Sequence, residues 1–382
     1  MLEKGCEVTP PPSDGPEQRK PAATSRRLLP SRLVARMGSA IWQQKAKLLG
    51  LGLTIAFVVL LVRSVDLAEV KAALVSANYL YVLPAAAVTL GGYGLRTYRW
   101  KRILTPTRDV PTTRLFPVLI IGFATNNILP ARVGELARAY ALGRKEGISK
   151  TLTLASVVLE RLLDGLTLVG YIAVLSLFFP LPGWGTDLAK LGVLVFLGLG
   201  IVVVVLLARE RLALSLLEVG LRTLPEQIGK RLMGMAESGM LGLRVLRVPG
   251  ELPTIAACSA AVWLCEAASY FLIIRSFNLP LGGTSHLFAA VLVLVVVNLG
   301  IMVPSAPGYI GTFHFFVVLA LSAFGVGREA ALGVALVSHA MQYVMITGLG
   351  LAFLWRQQFS LSAISGEEPS SVAETKAAMR EA

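Results

Sequence analysis

The sequence predicts an all-α polytopic membrane protein, with about six full transmembrane helices and two opposed re-entrant hairpins in an inverted repeat. Three observations lead to this fold class. The 382 residues are 55% hydrophobic and only 15% charged, whereas soluble domains are about one-quarter charged. Several uncharged runs approach the roughly 20 residues that cross a bilayer core. Two of the apolar runs are interrupted by polar residues, prolines and glycines.

The lysines and arginines are distributed unevenly, and this distribution predicts the orientation. Five segments hold thirty of them, and the remaining loops hold five. Because cytoplasmic loops carry the excess of lysine and arginine, we expect both termini on the cytoplasmic side of a bacterial inner membrane. Such segments are attracted to anionic lipid headgroups, so the net charge of +13 requires no nucleic-acid partner. The rich segments are 1–47, 96–114, 132–150, 209–247 and the tail after Trp355.

This orientation predicts the two hairpins. Basic segments flank both ends of the run 115–142, which places both ends in the cytoplasm, so we expect a hairpin that turns near Asn126–Pro130. The run 287–324 lies between charge-poor loops, so it is expected to enter from outside and turn near Pro304–Gly311. Non-helical backbone at membrane depth is tolerated only where protein buries it or where it lines a wet cavity. Two such breaks in corresponding halves predict a transport-type binding site.

The rest of the chain is interpreted around these hairpins. The first apolar segment, about 48–62, is expected to be a signal-anchor, and the second span, about 79–95, is expected to end in the basic motif RTYRWKRIL. Charged and apolar residues alternate at helical spacing between the halves, which predicts amphipathic helices on the membrane surface. The predicted divisions are a disordered basic tail (1–46), a transmembrane domain (47–356) with repeat halves at about 79–180 and 253–355 and a linker at 209–248, and a mobile tail (357–382).

The first break, GFATNNILPARVGELAR (122–138), supplies amides and charges. Asn126 and Asn127 can hydrogen-bond a phosphate or hydroxyl; alternatively, they cap the broken helix ends. Arg132, Glu135 and Arg138 follow at spacings of three and share one helix face. A guanidinium binds phosphate through two parallel hydrogen bonds. Alternatively, both arginines are interfacial residues that follow the positive-inside rule.

Four further charged residues lie inside predicted spans. Glu160, Arg161 and Asp164 lie two to three turns into one span, and charges at membrane depth by default mark a functional site. The alternative is a structural ion pair between helices. Glu266 is a lone carboxylate near the middle of another span. It either pairs with one of the arginines or takes up a proton, because desolvation favours the neutral acid.

The second break, VPSAPGYIGTFH (303–314), has prolines and glycines that interrupt helices. A helix that starts near Thr312 would direct its positive dipole end at the break, where an anion can bind. The alternative is a loop packed entirely against protein. The residues expected to line or shape this opening are Ser305, Gly308, Tyr309, Thr312 and His314.

Catalysis is not expected from this sequence. Ser, Cys and His do not cluster as a nucleophile constellation requires, and no glycine-rich phosphate loop is present. The three cysteines and three histidines are scattered, so we expect neither a metal site nor a cofactor. An intramembrane lipid-modifying enzyme is a third hypothesis, beside the two functions described at the end of this section.

Four motifs carry a resemblance to a known family: RTYRWKRIL, NNILPARVGELARAYAL, VVLERLLDGL and VPSAPGYIGTFHFF. In this order they cover most of residues 79–350, and the chain resembles the lysylphosphatidylglycerol synthase transmembrane-region family of flippase-like bacterial proteins. For its best-known member, the multiple peptide resistance factor, the resemblance implies translocation of aminoacylated phosphatidylglycerol. That protein has a soluble aminoacyl-transferase domain, and the stretch after Trp355 is too short for one. Other relatives accompany glycosyl-lipid or hopanoid pathways.

Two functions follow as hypotheses. The first is a lipid translocase without a soluble catalytic domain, in which Arg132 and Arg138 hold the phosphate. Glu135, Glu160 and Asp164 would balance those charges or contact a cationic headgroup. The second is an accessory membrane subunit of a lipid- or polyprenyl-linked glycosyltransferase. The expected partners are anionic or aminoacylated phospholipids or a glycolipid, with a lipid-modifying enzyme as a protein partner.

Overall fold

The computed structural model describes residues 51–52, 54–129, 133–282, 285–302 and 306–356, and these form helices and connecting turns without a strand. The predicted tails, 1–46 and 357–382, lie outside the described residues. Short 3₁₀ helices occur at Tyr79–Tyr81, Arg244–Arg247 and Pro307–Tyr309. The α-helices are α1 Thr54–Arg63, α2 Leu67–Ser76, α3 Val82–Leu104, α4 Thr112–Ile128, α5 Gly134–Glu146, α6 Lys150–Ser176, α7 Gly183–Ala208, α8 Glu210–Leu221, α9 Glu226–Leu243, α10 Glu251–Ser276, α11 Ser285–Gly300, α12 Thr312–Ser322 and α13 Arg328–Arg356.

Three described helices, α7, α10 and α13, are long and apolar enough to cross a membrane, judged by length and composition. The pair Leu67–Ser76 and Tyr79–Leu104, which bends by 70°, forms a fourth if it is one span. Helix α6 has 27 residues but differs from these because Glu160, Arg161 and Asp164 interrupt its apolar sequence. The several apolar helices agree with the predicted membrane class.

Two sets of four helices, α3–α6 and α10–α13, make corresponding contacts. Within each set the first helix packs on the second, the second on the third and the third on the fourth. Between the sets, α4 packs on α13 as α11 packs on α6, and α3 packs extensively on α10. This is the contact pattern that two structural repeats produce.

Helices α3 and α10 run antiparallel along the centre of the bundle. Thr89 donates a hydrogen bond to Ser269 (2.9 Å), and farther along α3 Arg99 donates to Ser259 (2.9 Å). Residues with increasing numbers on α3 therefore contact residues with decreasing numbers on α10, so the two helices are antiparallel. Near the end of α3, Arg102 forms an ion pair with Glu251 (2.6 Å). Antiparallel pairing of corresponding helices is what an inverted repeat requires.

Each set contains a break between two helices that run back along each other. In the first set, Asn126 of α4 faces Gly134 of α5, and Gly122 lies against Arg138. A Cβ at Gly134 would lie 2.0 Å from the Gly122 carbonyl oxygen, so the two helices touch at their backbones. In the second set, the ring of Phe316 on α12 covers Gly300 on α11.

The structure corrects one predicted boundary. Helix α3 does not end at about Leu95 but continues to Leu104, so Arg96 and Arg99 lie within it and are buried. The first break was expected near Asn126–Pro130, and helix α4 continues through both asparagines and ends at Ile128, within that range. The prediction that a helix starts near Thr312 is confirmed, because α12 begins there.

Candidate functional site

A central cavity of about 210 Å³ lies between the two sets of helices. Both sets contribute to its wall, together with Phe196 of α7 and the 3₁₀ turn at Pro307–Tyr309. Its lining mixes charges, amides and aromatic rings within an apolar bundle. Seven of the predicted site residues line it, namely Asn126, Asn127, Glu135, Arg161, Asp164, Glu266 and Tyr309.

A buried ion cluster lies beside this cavity. Arg99, whose side chain is 1% exposed, donates a hydrogen bond to Asp164 Oδ1 (2.7 Å) and lies 3.8 Å from Glu160 Oε1. Arg138 donates to Glu160 Oε2 (2.6 Å). Its guanidinium also stacks on Trp100, 4.0 Å from the ring centroid. Buried charges persist where they are paired and hydrogen-bonded, so these arginines hold α3, α5 and α6 together.

Arg138 and Glu160 pair within this cluster and do not line the cavity, although both were predicted site residues. Their pairing is the structural alternative that the sequence left open. Two predicted residues, Arg132 and Ser305, lie outside the described residues.

Asp164 connects the ion cluster to the cavity. Its Oδ1 accepts hydrogen bonds from Arg99 and from Trp263 Nε1 (3.2 Å). Its Oδ2 faces Arg161 at 3.6 Å and Arg96 at 3.7 Å, beyond hydrogen-bond distance. Among the described residues, this oxygen accepts no hydrogen bond.

Among the described residues, Arg96 and Arg161 are the arginines of the cavity wall. Arg96 lies over the Trp263 ring, 4.6 Å from its centroid, and Arg161 lies 5.8 Å from the centroid of Phe123. The guanidiniums of Arg96 and Arg161 thus face the same oxygen of Asp164, and neither is within hydrogen-bond distance of it. An anionic group that enters the cavity can meet both of them, and guanidinium is suited to phosphate.

The asparagines of the first break lie in the last turn of α4 and connect neighbouring helices. Asn126 Oδ1 accepts a hydrogen bond from the Gly134 N–H (2.7 Å), so it caps the start of α5. Asn127 Nδ2 donates to Thr347 Oγ1 of α13 (3.0 Å). Both also line the cavity. Asn126 thus fits the capping alternative, and binding of a phosphate or hydroxyl by the two amides stays a prediction.

The opposite wall carries Glu266 and a group of polar rings. Gln342 Nε2 donates a hydrogen bond to Glu266 Oε1 (2.7 Å), so this carboxylate is held by an amide and remains on the cavity wall. The neighbouring wall residues of α10 and α13 are uncharged or aromatic, namely Trp263, Tyr270, His339 and Tyr343.

The second break is closed by local packing. Gly308 has a left-handed backbone (φ 69°), and a Cβ there would lie 2.7 Å from the Tyr343 ring. Thr312 is fully buried at the start of α12. The N–H of Gly311 donates to His314 Nδ1 (3.3 Å). His314 therefore satisfies the donor that precedes α12, and an anion at the start of this helix stays a prediction.

Helix α1 packs against the second break. Its predicted role as a signal-anchor did not include these contacts. Thr54 Oγ1 accepts a hydrogen bond from the Ala306 N–H (3.0 Å). Phe57 packs on Phe315, with ring centroids 4.6 Å apart. Helix α1 therefore belongs to the folded bundle.

Several wall residues were missed because they lie on regular helices. Arg96 was included in a basic flank, and the polar residues of α10 and α13 lack a local signature. Helical spacing does connect Tyr93 with Arg96 (i, i+3) and His339 with Gln342 and Tyr343 (i, i+3 and i+4). These pairs were the only signal in the sequence.

Comparison with known proteins identifies the family. The sequence model of the family described as lysylphosphatidylglycerol synthase TM region matches residues 47–350. The chain belongs to this family. It is a membrane protein, as predicted from its composition.

Three archaeal proteins are similar to this chain. A UPF0104 membrane protein of Methanothermobacter thermautotrophicus is 28% identical over 301 residues, which cover 74% of this chain and 87% of the relative. A UPF0104 membrane protein of Methanocaldococcus jannaschii is 23% identical and covers 59% of this chain and 90% of the relative. The glycosyltransferase AglD of Haloferax volcanii is 23% identical over 334 residues, 79% of this chain but 53% of that relative.

Proposed function

We propose that this protein translocates a membrane lipid by accommodating its polar headgroup in the central cavity. One observation carries the proposal: Arg96 and Arg161 face the cavity across a single oxygen of Asp164, within a bundle of apolar helices. Polar groups at this depth are costly and mark substrate pathways. The headgroup phosphate would accept hydrogen bonds from the two guanidiniums.

The proposed topology has two re-entrant hairpins, α4–α5 and α11–α12, that enter from opposite sides. The two-set contact pattern and the antiparallel α3–α10 pair support it. Three arginines of the basic segments, Arg96, Arg99 and Arg138, are buried in the protein. Without these three, the predicted cytoplasmic segments hold twenty-seven lysines and arginines, and the remaining loops hold five. The positive-inside rule therefore favours cytoplasmic termini. No catalytic step is part of the proposal.

The test is lipid scrambling in phosphatidylcholine vesicles that contain fluorescent phosphatidylglycerol, with dithionite quenching of the outer leaflet. Arg161→Gln is expected to slow scrambling about tenfold to a hundredfold, because a charge-assisted hydrogen bond contributes about 1.5–3 kcal/mol. The fold should persist, since Arg99 still donates to Asp164. Arg211→Gln, on the exposed face of α8, is the matched control. Scrambling at the wild-type rate in both Arg96→Gln and Arg161→Gln would refute the proposal.

A second function is favoured by one relative. The likeness to AglD, a glycosyltransferase, supports an accessory role beside an enzyme that uses a lipid-linked sugar. Copurification with such an enzyme, together with no scrambling by the isolated protein, would support this function over translocation.

A further inference from the structure

A second cavity, of about 590 Å³, lies as a groove between α6 and α7. Its wall is mainly apolar. Helix α6 contributes Val169, Ile172 and Ala173, and helix α7 contributes Ala189, Val193 and Leu194. We call this space the α6–α7 groove.

The groove continues the central cavity along one seam. Helices α6 and α7 run antiparallel here, because Gly165 lies against Phe196 while Val169 lies against Gly192. Gly165, Leu168 and Phe196 line the central cavity, and the groove begins with Val169 on the next turn. On α6 the groove itself extends from Val169 to Ser176, about 10 Å at 1.5 Å per residue. Together with the turn from Gly165 the seam is about 16 Å long, which is comparable to half of a hydrocarbon core about 30 Å thick.

Phe196 separates the two spaces. Its side chain is buried, at 5% exposure, and its ring lies directly on Gly165. A Cβ at Gly165 would lie 1.9 Å from the ring, so only a glycine allows the ring to occupy the seam. The ring therefore closes the polar cavity from the apolar groove.

Of the three described helices that are long and apolar enough to cross a membrane, α7 is the least enclosed. Only 17% of its most apolar stretch is buried, compared with 44% for α10. Leu194 of the groove wall is 73% exposed. A shift of α7 therefore disturbs fewer packed side chains than a shift of α10, and it would widen the seam at Phe196.

We propose that the seam between α6 and α7 is the lateral route by which a glycerolipid reaches the cavity, with an acyl chain in the α6–α7 groove. This inference rests on the proposed function. A headgroup drawn into the bundle remains attached to its chains, and these need an apolar passage to the bilayer. The groove provides that passage beside the cavity, and Phe196 must leave Gly165 for the lipid to pass.

Two photoreactive phosphatidylglycerols test the route in phosphatidylcholine vesicles, one with a diazirine in its acyl chain and one in its headgroup. Labelled positions are read by mass spectrometry of the full-length protein. We expect the acyl probe on the groove residues of α6 and α7, and the headgroup probe on the cavity wall. Phe196→Ala should raise acyl labelling of the groove severalfold, and Phe196→Leu should raise it less. Val195→Ala, at an α7 position that is 47% exposed and lines neither cavity, should match the wild type.

The outcomes separate the two proposals. Headgroup labelling of the cavity without acyl labelling of the groove would overturn the route and leave the proposed function in place. Absence of headgroup labelling from the cavity wall would overturn both. Acyl labelling of the groove that is unchanged in Phe196→Ala and Phe196→Leu would refute the closing role of Phe196.

Discussion

The two sets of helices, α3–α6 and α10–α13, share a pattern of contacts but differ in chemistry. The first set contains a charged cluster, whereas the second faces the cavity with amides, rings and one carboxylate. This contrast shows that the repeat supplies the scaffold and that, within the part of the chain that the structure describes, the first set supplies the cations of the cavity. The cavity is therefore electrically asymmetric. The residues that make the difference are Arg96, Arg99, Arg138, Glu160, Arg161 and Asp164 in the first set, and Trp263, Glu266, His339, Gln342 and Tyr343 in the second.

Asp164→Ala is expected to have the largest effect, because it removes the anion that the first set is built around. It leaves Arg99 buried with Ser259 but without its hydrogen-bonded carboxylate, and breaking a buried pair in this way costs about 3–5 kcal/mol. Unfolding in mixed micelles, followed by tryptophan fluorescence, measures the loss. Asp187→Ala is the matched control, since this exposed aspartate forms a 3.7 Å surface pair with Lys190. Equal stability losses in the two variants would show that the cluster is not the basis of the asymmetry.

Gly134→Ala tests the close backbone contact at the first break. The added Cβ would lie 2.0 Å from the Gly122 carbonyl oxygen, so α4 and α5 must separate. Overpacking of this kind costs about 1–3 kcal/mol, which should appear as a lower Tm in detergent. Gly94→Ala in α3, where a Cβ meets no atom within 4 Å, should leave Tm unchanged or raise it. A Gly134→Ala protein with the wild-type Tm would contradict the packing described for this break.

Glu266→Gln tests the carboxylate of the second set. Stability should change little, because Gln342 can still donate to the new amide oxygen. Scrambling of phosphatidylethanolamine, which has a cationic amine, should fall relative to phosphatidylglycerol by about fivefold, the equivalent of ~1 kcal/mol for one partly solvated charge pair. The ratio of the two rates is the measurement. An unchanged ratio would mean that the headgroup does not approach the second set.

Glu210 lies outside both sets, and the smallest effect is expected there. Hydrogen bonds from Arg244 (2.6 Å) and Arg247 (2.7 Å) lower the pKa of this carboxyl in α8. Its contribution to docking of α8 is therefore complete above the unfolded pKa of about 4.3 and is lost as the pH falls through the folded pKa. Proteolysis between α8 and α9 should quicken over that window in the wild type. Glu210→Gln should remove the pH dependence, and a pH dependence that persists in this variant would assign it to another group.

The sequence predicted the helices whose apolar runs are long, such as α7 and α13, and the start of α12 at Thr312. It also identified Asp164 and Glu266, because a charge in an apolar run stands out. It did not identify Arg96, since a basic run at a helix end has the same composition whether it faces solvent or a buried aspartate. Only the packing of α3 on α10 places Arg96 over Trp263. The same limit applies to Thr54, whose hydrogen bond reaches a residue about 250 positions away along the chain.

Cys265 gives the central helix pair a further property. A Cβ at Gly92 would lie 3.3 Å from the Cβ of Cys265, close to the separation of about 3.5–4.5 Å found in disulfides. The chain thus already carries one of the two sulfur atoms needed to tie its halves covalently. In an oxidised Gly92→Cys protein the central pair is locked together, so any opening that persists must come from peripheral helices.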